Sequence, residues 1–301
     1  MSVGTRFQTL IASIQVAQRE LDDYAGHQRT LGRALKAEYA GAKVETIGSH
    51  ARGSAIGGTS DVDLLVRLPL DAVRAANGRG ALMSSSTVLA KVRERLKARY
   101  HATDVGKDGQ AILVSFGNGT RDIDVVPAAF AGMIDVVALG AKRPVVLIPE
   151  GSGGWIKTAP AAHNDYLSRA DAAAGGKFKY VAQLLRHWRR SRAMRIPMLT
   201  FHAELVLAHQ GTCAAVTSYA RLLADSFAVL ARRGGRALQD PIGVSGWIPI
   251  ASTERQAANV VAALEYAAKH AAKAVAFEAV GRLPNAYDQW AMVFNGQFPS
   301  R

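Results

Sequence analysis

The sequence predicts an α+β chain with a mixed-sheet first half over residues 1–152 and a helical second half over residues 153–301. Three observations carry that division. Short β-branched and apolar runs bounded by Gly, Ser and Asn crowd the first half, as half-buried strands do. The second half instead places apolar residues three and four apart, with Pro and Gly at the joints. Between them, EGSGG at 150–154 interrupts both patterns.

In chain order, residues 6–40 carry Phe7, Leu10, Ile11, Ile14, Ala17, Leu21, Tyr24 and Ala25 at helical spacing. They are expected to form one long helix, or two in line, packing across both halves. KVETIGS follows as a short strand from Val44 to Ile47, then the Gly/Ser-rich loop ARGSAIGGTS, then the strand DVDLLVRLPL. Residues 84–100 read as a helix with Ser86 or Thr87 as N-cap. AILVSF (111–116) and TRDIDVVPAAF (120–130), separated by GNG, read as a hairpin, and RPVVLIPE (143–150) as a further strand. The helices expected beyond are 160–172, 177–194, 197–211, 214–234, 253–281 and 284–293.

Composition excludes several classes of protein. A chain of 301 residues with 49% apolar content buries a sizeable core and is long enough for about two domains, so wholesale disorder is out. The single cysteine, Cys213, rules out an intrachain disulfide and a multi-cysteine zinc site, and is expected to be a small buried hydrophobe. The N-terminus lacks the apolar run of a secretory signal, and no uncharged apolar stretch reaches the ~18 residues of a membrane span. A soluble, cytoplasmic protein is expected. The net charge of +13 points to polyanions such as nucleotides, nucleic acid or an anionic membrane surface, without choosing among them.

The chemistry concentrates in Gly48-Ser49, eleven intervening residues, and Asp61-Val62-Asp63. Residues two apart on a strand share a face, so Asp61 and Asp63 project together. Two carboxylates ~4 Å apart repel by about 4 kcal/mol at an effective dielectric near 20. A cation between them relieves that repulsion, and an oxygen-only donor set suits Mg²⁺ or Mn²⁺. A solvated pair of strand-edge acids would account for a lone D-x-D equally well. Asp124, in RDIDVVPA, supplies a third acid within an apolar strand, with Asp122 as a rival on the same face. Gly48-Ser49 opens a short helical turn whose N–H groups and hydroxyl can hold an anion, and Arg52 lies one turn on.

In the helix 177–194, Val181, Leu184, Leu185 and Trp188 form the core stripe, while Lys179, Gln183, Arg186 and Arg190 occupy another face. Lys177 to Ala203 contains seven Lys or Arg and no acid, which reads as a phosphate-binding face or simply a solvated one.

G-S, eleven residues, D-V-D, and then I-D-V-V-P-A together resemble the nucleotidyltransferase superfamily of DNA polymerase beta and poly(A) polymerase. W-I-K-T-A-P, K-F-K-Y-V-A-Q-L-L-R-H-W and I-P-M-L-T-F-H-A-E-L resemble the oligoadenylate synthase and cyclic GMP–AMP synthase branch. D-P-I-G-V-S and Q-W-A-M-V-F-N-G-Q-F-P resemble its bacterial members, the CD-NTases of antiphage signalling. The resemblance implies a two-lobed nucleotidyltransferase with catalytic core 1–152 and helical domain 153–301. It implies a triad Asp61, Asp63 and Asp124 holding two Mg²⁺ or Mn²⁺ ions, with Gly48 and Ser49 on the donor triphosphate. It places Arg186 where relatives carry a phosphate-binding lysine, Thr200 on the phosphates and Phe201 against the base; Lys177, Lys179 and Arg52 complete the expected nucleotide contacts. Two departures stand out: Arg186 is not lysine, and the Cys/His zinc insertion with which animal cyclic GMP–AMP synthase grips DNA is missing. The implied activity joins NTPs (ATP, GTP or both, with pyrimidine NTPs open) into a cyclic di- or trinucleotide. Competing expectations are a linear-oligonucleotide synthase, an RNA-tailing or other nucleotidyltransferase, and a nucleic-acid-binding protein on this scaffold. The basic stretches Lys91–Arg99 and Arg232–Arg236 lie outside the implied site and read either as plain solvated surface or as surfaces for a regulatory protein or RNA.

Overall fold

The computed structural model describes residues 1–58, 61–75, 80–101, 103–116, 121–136, 140–215 and 217–299. In chain order the elements are α1 (Val3–Ile14), α2 (Gln18–Glu38), β1 (Lys43–Ile47), α3 (Gly48–Ala51), β2 (Val62–Arg67), α4 (Leu70–Val73), α5 (Ser85–Arg99), β3 (Asp104–Val105), β4 (Ile112–Phe116), β5 (Arg121–Val136), β6 (Ala141–Pro149), β7 (Trp155–Thr158), α6 (Pro160–Ala173), α7 (Phe178–Arg190), α8 (Thr200–His209), α9 (Tyr219–Arg232), β8 (Leu238–Gln239), β9 (Trp247–Ile248), α10 (Glu254–Ala279) and α11 (Leu283–Val293). They form two compact units. One comprises Val16–Gly53 and Gly57–Asn164; the other comprises Met1–Gln15, Ser54–Ile56 and Asp165–Arg301.

The first unit is built on a mixed sheet of order β1-β2-β5-β4-β3, with β6 on β5 and β7 on β6. β2 and β5 run parallel and β1–β2 and β4–β5 antiparallel, so β2 and β5 have neighbours on both sides. Pleating sorts their residues by face. Val62, Leu64, Val66, Ile123 and Val125 pack with Leu31 and Leu35 of α2 and Val88, Leu89 and Val92 of α5. Leu65, Val126, Ala128 and Val146 form a smaller cluster. β5 is long enough to serve two partners: its first half lies between β2 and β4, and from Ala129 on, through an irregularity at Phe130/Gly132, it pairs with β6.

The second unit is helical apart from the small β8–β9 ladder. Phe7 of α1 sits edge-on to Trp290 of α11, with ring centroids 4.9 Å apart, and to Phe298 at 5.0 Å. Trp188 of α7 meets Phe227 of α9 at 4.9 Å. On α10 the buried residues Val260, Leu264, Ala267, Ala271 and Ala274 keep one helical face, and the three alanines allow close helix approach.

The α+β class and the main strands agree with expectation; the differences have local causes. Of the two readings of residues 6–40, two helices is the one found; they break at Gln15–Ala17 and belong to different units. The sheet unit runs to Asn164 and so includes β7, which pairs with β6. WIKT, to which the sequence pattern assigns no element, is strand. The N-cap of α5 is Ser84, whose hydroxyl accepts from the Thr87 N–H, rather than Ser86 or Thr87. Asp61 immediately precedes β2 rather than lying in it. Helices expected at 177–194, 197–211 and 214–234 are shorter, at 178–190, 200–209 and 219–232. The GNG turn lies outside the described residues.

Candidate active site

Strand register builds the acidic centre. In the parallel β2–β5 pair Asp63 is the direct partner of Asp124, and across the other edge of β2 Asp63 faces Ile47 of β1. Register partners in neighbouring strands project to the same face, so the Asp63 and Asp124 carboxylates stand side by side. By the same alternation they share the face of Leu65 and Val126, away from the core formed with α2 and α5. Asp122, the rival, is set opposite Ser115 of β4.

This placement changes the electrostatics of Asp124. Burial, followed by the charges of Asp63, Asp61, Asp108 and Asp122, pushes its carboxyl up to about 7. One oxygen of Asp124, Oδ1, is buried with no hydrogen-bond partner, as is Oδ1 of Asp122. Among the described residues, no group of three or more acidic, histidine or cysteine side chains closes into a metal-binding cluster.

The expected phosphate turn starts where β1 ends. Gly48 has φ +70°, and a Cβ built there would stand 1.8 Å from Asp63 Oδ2. A side chain there is disfavoured twice, by the left-handed backbone and by the carboxylate, which would have to shift. The backbone of the turn is thus pressed against one member of the acidic pair. Ser49 is buried in α3, and the His50 ring stands 5.3 Å from the Tyr24 ring of α2, which braces the turn from behind. Arg52 is the C-cap of α3.

The remaining expected nucleotide contacts lie in the helical unit. Lys177 Nζ donates to the Thr217 carbonyl at 2.6 Å. Lys179 donates its backbone N–H to Asp171 and holds its ammonium 5.2 Å from the Tyr180 ring. Arg186 Nη2 is ion-paired with Glu204 Oε1 at 2.9 Å, with both side chains largely buried. Thr200 begins α8 and is buried; Phe201 packs against the helical core. Gln183, expected on the exposed basic face, is 3% exposed. Glu204 is not singled out by the sequence pattern, and Gln183 is placed by it only on the basic face of the helix. The available signal was Glu204 itself, an acid inside the otherwise apolar run FHAELVLA.

Against this geometry, the model of the Second Messenger Oligonucleotide or Dinucleotide Synthetase (SMODS) domain matches residues 1–170, more than half of the chain and all three acids. The chain belongs to the SMODS family. SMODS relatives include the cyclic AMP-AMP-AMP synthase of Escherichia coli (strain MS 115-1), 25% identical over 167 residues, which are 54% of this chain and 47% of that protein. The match thus spans about half the length of that relative. Among solved structures, E. coli MS115-1 CdnC with ATP superposes with a TM-score of 0.76 at 18% identity, covering 98% of both chains. The same CdnC in a HORMA complex gives 0.71 at 20% identity, covering 98% of this chain and 97% of that one. The Bradyrhizobium diazoefficiens CD-NTase CdnG with GTP gives 0.73 at 13% identity, covering 98% and 96%. At these identities the superpositions establish the two-lobed CD-NTase fold. The SMODS match makes this chain a member of a bacterial nucleotidyltransferase family, as its motifs implied.

Proposed function

We propose that this SMODS protein is a metal-dependent nucleotidyltransferase that joins NTPs into a cyclic di- or trinucleotide second messenger in antiphage signalling. One observation carries the reading: the parallel register that sets Asp63 against Asp124, with the Gly48 turn pressed onto Asp63. The donor set fits a hard divalent cation, being all oxygen and mutually repelling, with a buried Asp124 oxygen that no protein group satisfies. Asp61, Asp63 and Asp124 would hold two Mg²⁺ or Mn²⁺ ions, which supply charge compensation and orientation for phosphoryl transfer. Gly48 and Ser49 hold the donor triphosphate with N–H groups and a hydroxyl, and Arg52 adds a guanidinium. A ribose hydroxyl attacks the α-phosphorus, the new P–O bond forms, and pyrophosphate leaves. The resemblance assigns the further nucleotide contacts to Lys177, Lys179, Arg186, Thr200 and Phe201.

The E. coli relatives make ATP and a three-unit ring the first substrate and product to test, with GTP and pyrimidine NTPs beside them. A HORMA-type protein is the regulatory partner to test first, with RNA on the basic surfaces as the other candidate. The proposed setting is cytoplasmic, and no helix among the described residues is long and apolar enough to cross a membrane.

Incubation with all four NTPs and Mg²⁺ or Mn²⁺, with and without a HORMA partner, followed by mass spectrometry, tests the proposal. The expected result is a phosphatase-resistant cyclic product from the wild type and none from Asp63→Asn of unchanged fold. A solely linear product, or turnover by Asp63→Asn, overturns the cyclase reading or the site respectively.

A further inference from the structure

Five residues beyond Ser49 the chain enters a different environment. Ser54-Ala55-Ile56 belongs to the helical unit, although the residues on both sides, through Gly53 and from Gly57, belong to the sheet unit. Ser54 is 2% exposed, Ala55 4% and Ile56 4%, and Ile56 is part of the helical core. Gly53 at φ +68° and Gly58 at φ +66° turn the chain at either end of this strap, in a conformation that favours glycine.

Polar side chains hold the strap. Ser54 Oγ donates to Glu204 Oε1 at 3.1 Å, and Arg186 Nη2 donates to the same oxygen at 2.9 Å. Gln183 Nε2 donates to the Ala55 carbonyl at 3.2 Å, while Gln15 Nε2 donates to Gln183 Oε1 at 2.7 Å. Three helices therefore contribute: Gln15 caps α1, Gln183 and Arg186 lie on α7, and Glu204 lies on α8.

Stability alone does not account for this construction. Replacing a buried ion pair with well-packed apolar residues is often neutral or stabilising, so apolar contacts such as those of Ile56 could hold the strap by themselves. What directional bonds add is a defined position and orientation for the backbone they grip. The backbone gripped here is continuous with the phosphate turn, so little slack separates Ser54 from Ser49.

We infer that Glu204 and Gln183 are positioning residues, holding Ser54 and Ala55 so that the Gly48-Ser49 turn is presented in one conformation. Neither needs to touch the nucleotide. The inference rests on the assignment of Gly48 and Ser49 to the donor triphosphate. It also gives Arg186 a second role, that of neutralising the buried Glu204 carboxylate.

Ser54→Ala is the sharpest variant, because it cuts the tie to the strap and leaves the Arg186–Glu204 pair intact. The first measurement is hydrogen exchange, which needs no nucleotide. Amides of residues 48–53 are expected to exchange about three- to tenfold faster, the span of one net hydrogen bond, while α7 and α8 stay as protected as in the wild type. The second is kinetic: KM for ATP rises by about the same factor with kcat changed less, and Ser54→Thr, which keeps the hydroxyl, restores it. Unchanged exchange at 48–53 overturns the inference, and so does loss of protection spread evenly over α7 and α8, which marks a purely structural role. If exchange responds as expected but ATP affinity does not, the strap positions the turn and it is the assignment of the turn to the triphosphate that fails.

Discussion

Gly48 and Asp63 constrain one another. The glycine adopts φ +70° and leaves no room for a Cβ beside Asp63 Oδ2. Gly48→Ala would carry about 1–2 kcal/mol of left-handed strain and would also displace the carboxylate. Turnover is expected to fall at least about tenfold, since ~1.4 kcal/mol at the transition state suffices for that factor. Steady-state rates and ATP affinity measured together check it, and a fully active Gly48→Ala protein would show that Asp63 can move without consequence. Asp124 gives a pH prediction. Its folded-state carboxyl is pushed up to about 7 by burial and neighbouring acids, whereas unfolded it titrates in the ordinary carboxylate range near 4. Between those values the folded state binds the extra proton, so stability falls as pH rises through that window. In metal-free buffer, urea denaturation should find Asp124→Asn more stable than wild type at about pH 8 and not at about pH 5. Added Mg²⁺ or Mn²⁺ should raise the wild-type midpoint most above pH 7, where the carboxylate is charged. A variant difference independent of pH would mean that Asp124 carries no charge conflict. Cys213 behaves as its isolation in the sequence implies: it is buried, and burial pushes its thiol up to about 11.

At the scale of elements, α7 was the most legible helix and the most misleading one. Its apolar stripe is core, with Val181, Leu184, Leu185 and Trp188 all buried. Trp188→Ala would empty the space against Phe227 and is expected to cost about 3–5 kcal/mol, read from chemical denaturation. A loss under about 1 kcal/mol would mean the site collapses around the smaller residue. On another face, spacing grouped Gln183 and Arg186 with Lys179 and Arg190, as a phosphate-binding face or a solvated one. Both are instead covered or engaged, Gln183 by Ala55 and Arg186 by Glu204. The covering strap comes from 128 residues away in the case of Gln183, so no window over the helix could have revealed it. The strand β7 was missed for a similar reason. WIKT is too short to show a period, and it is a strand because β6 offers it an edge.

At the scale of the whole molecule, the net charge of +13 is no guide to the acids that β2 and β5 bring together. Spacing along the chain was the better guide. G-S and D-V-D, eleven residues apart, and an acid within an apolar strand are legible without a structure; each alone has an ordinary explanation, and it is their joint spacing that points to one site. The sequence by itself thus determined the α+β class and the family, and singled out Asp61, Asp63 and Asp124 as the acids to test. Only the tertiary structure decided that Asp124 rather than Asp122 stands opposite Asp63, since register is set by how β5 pairs with β2 and β4 together. It alone divided the N-terminal helix between two units and assigned residues 54–56 to the helical one. Periodicity reports which face of an element is buried, but not what buries it, and partners distant in sequence make that choice.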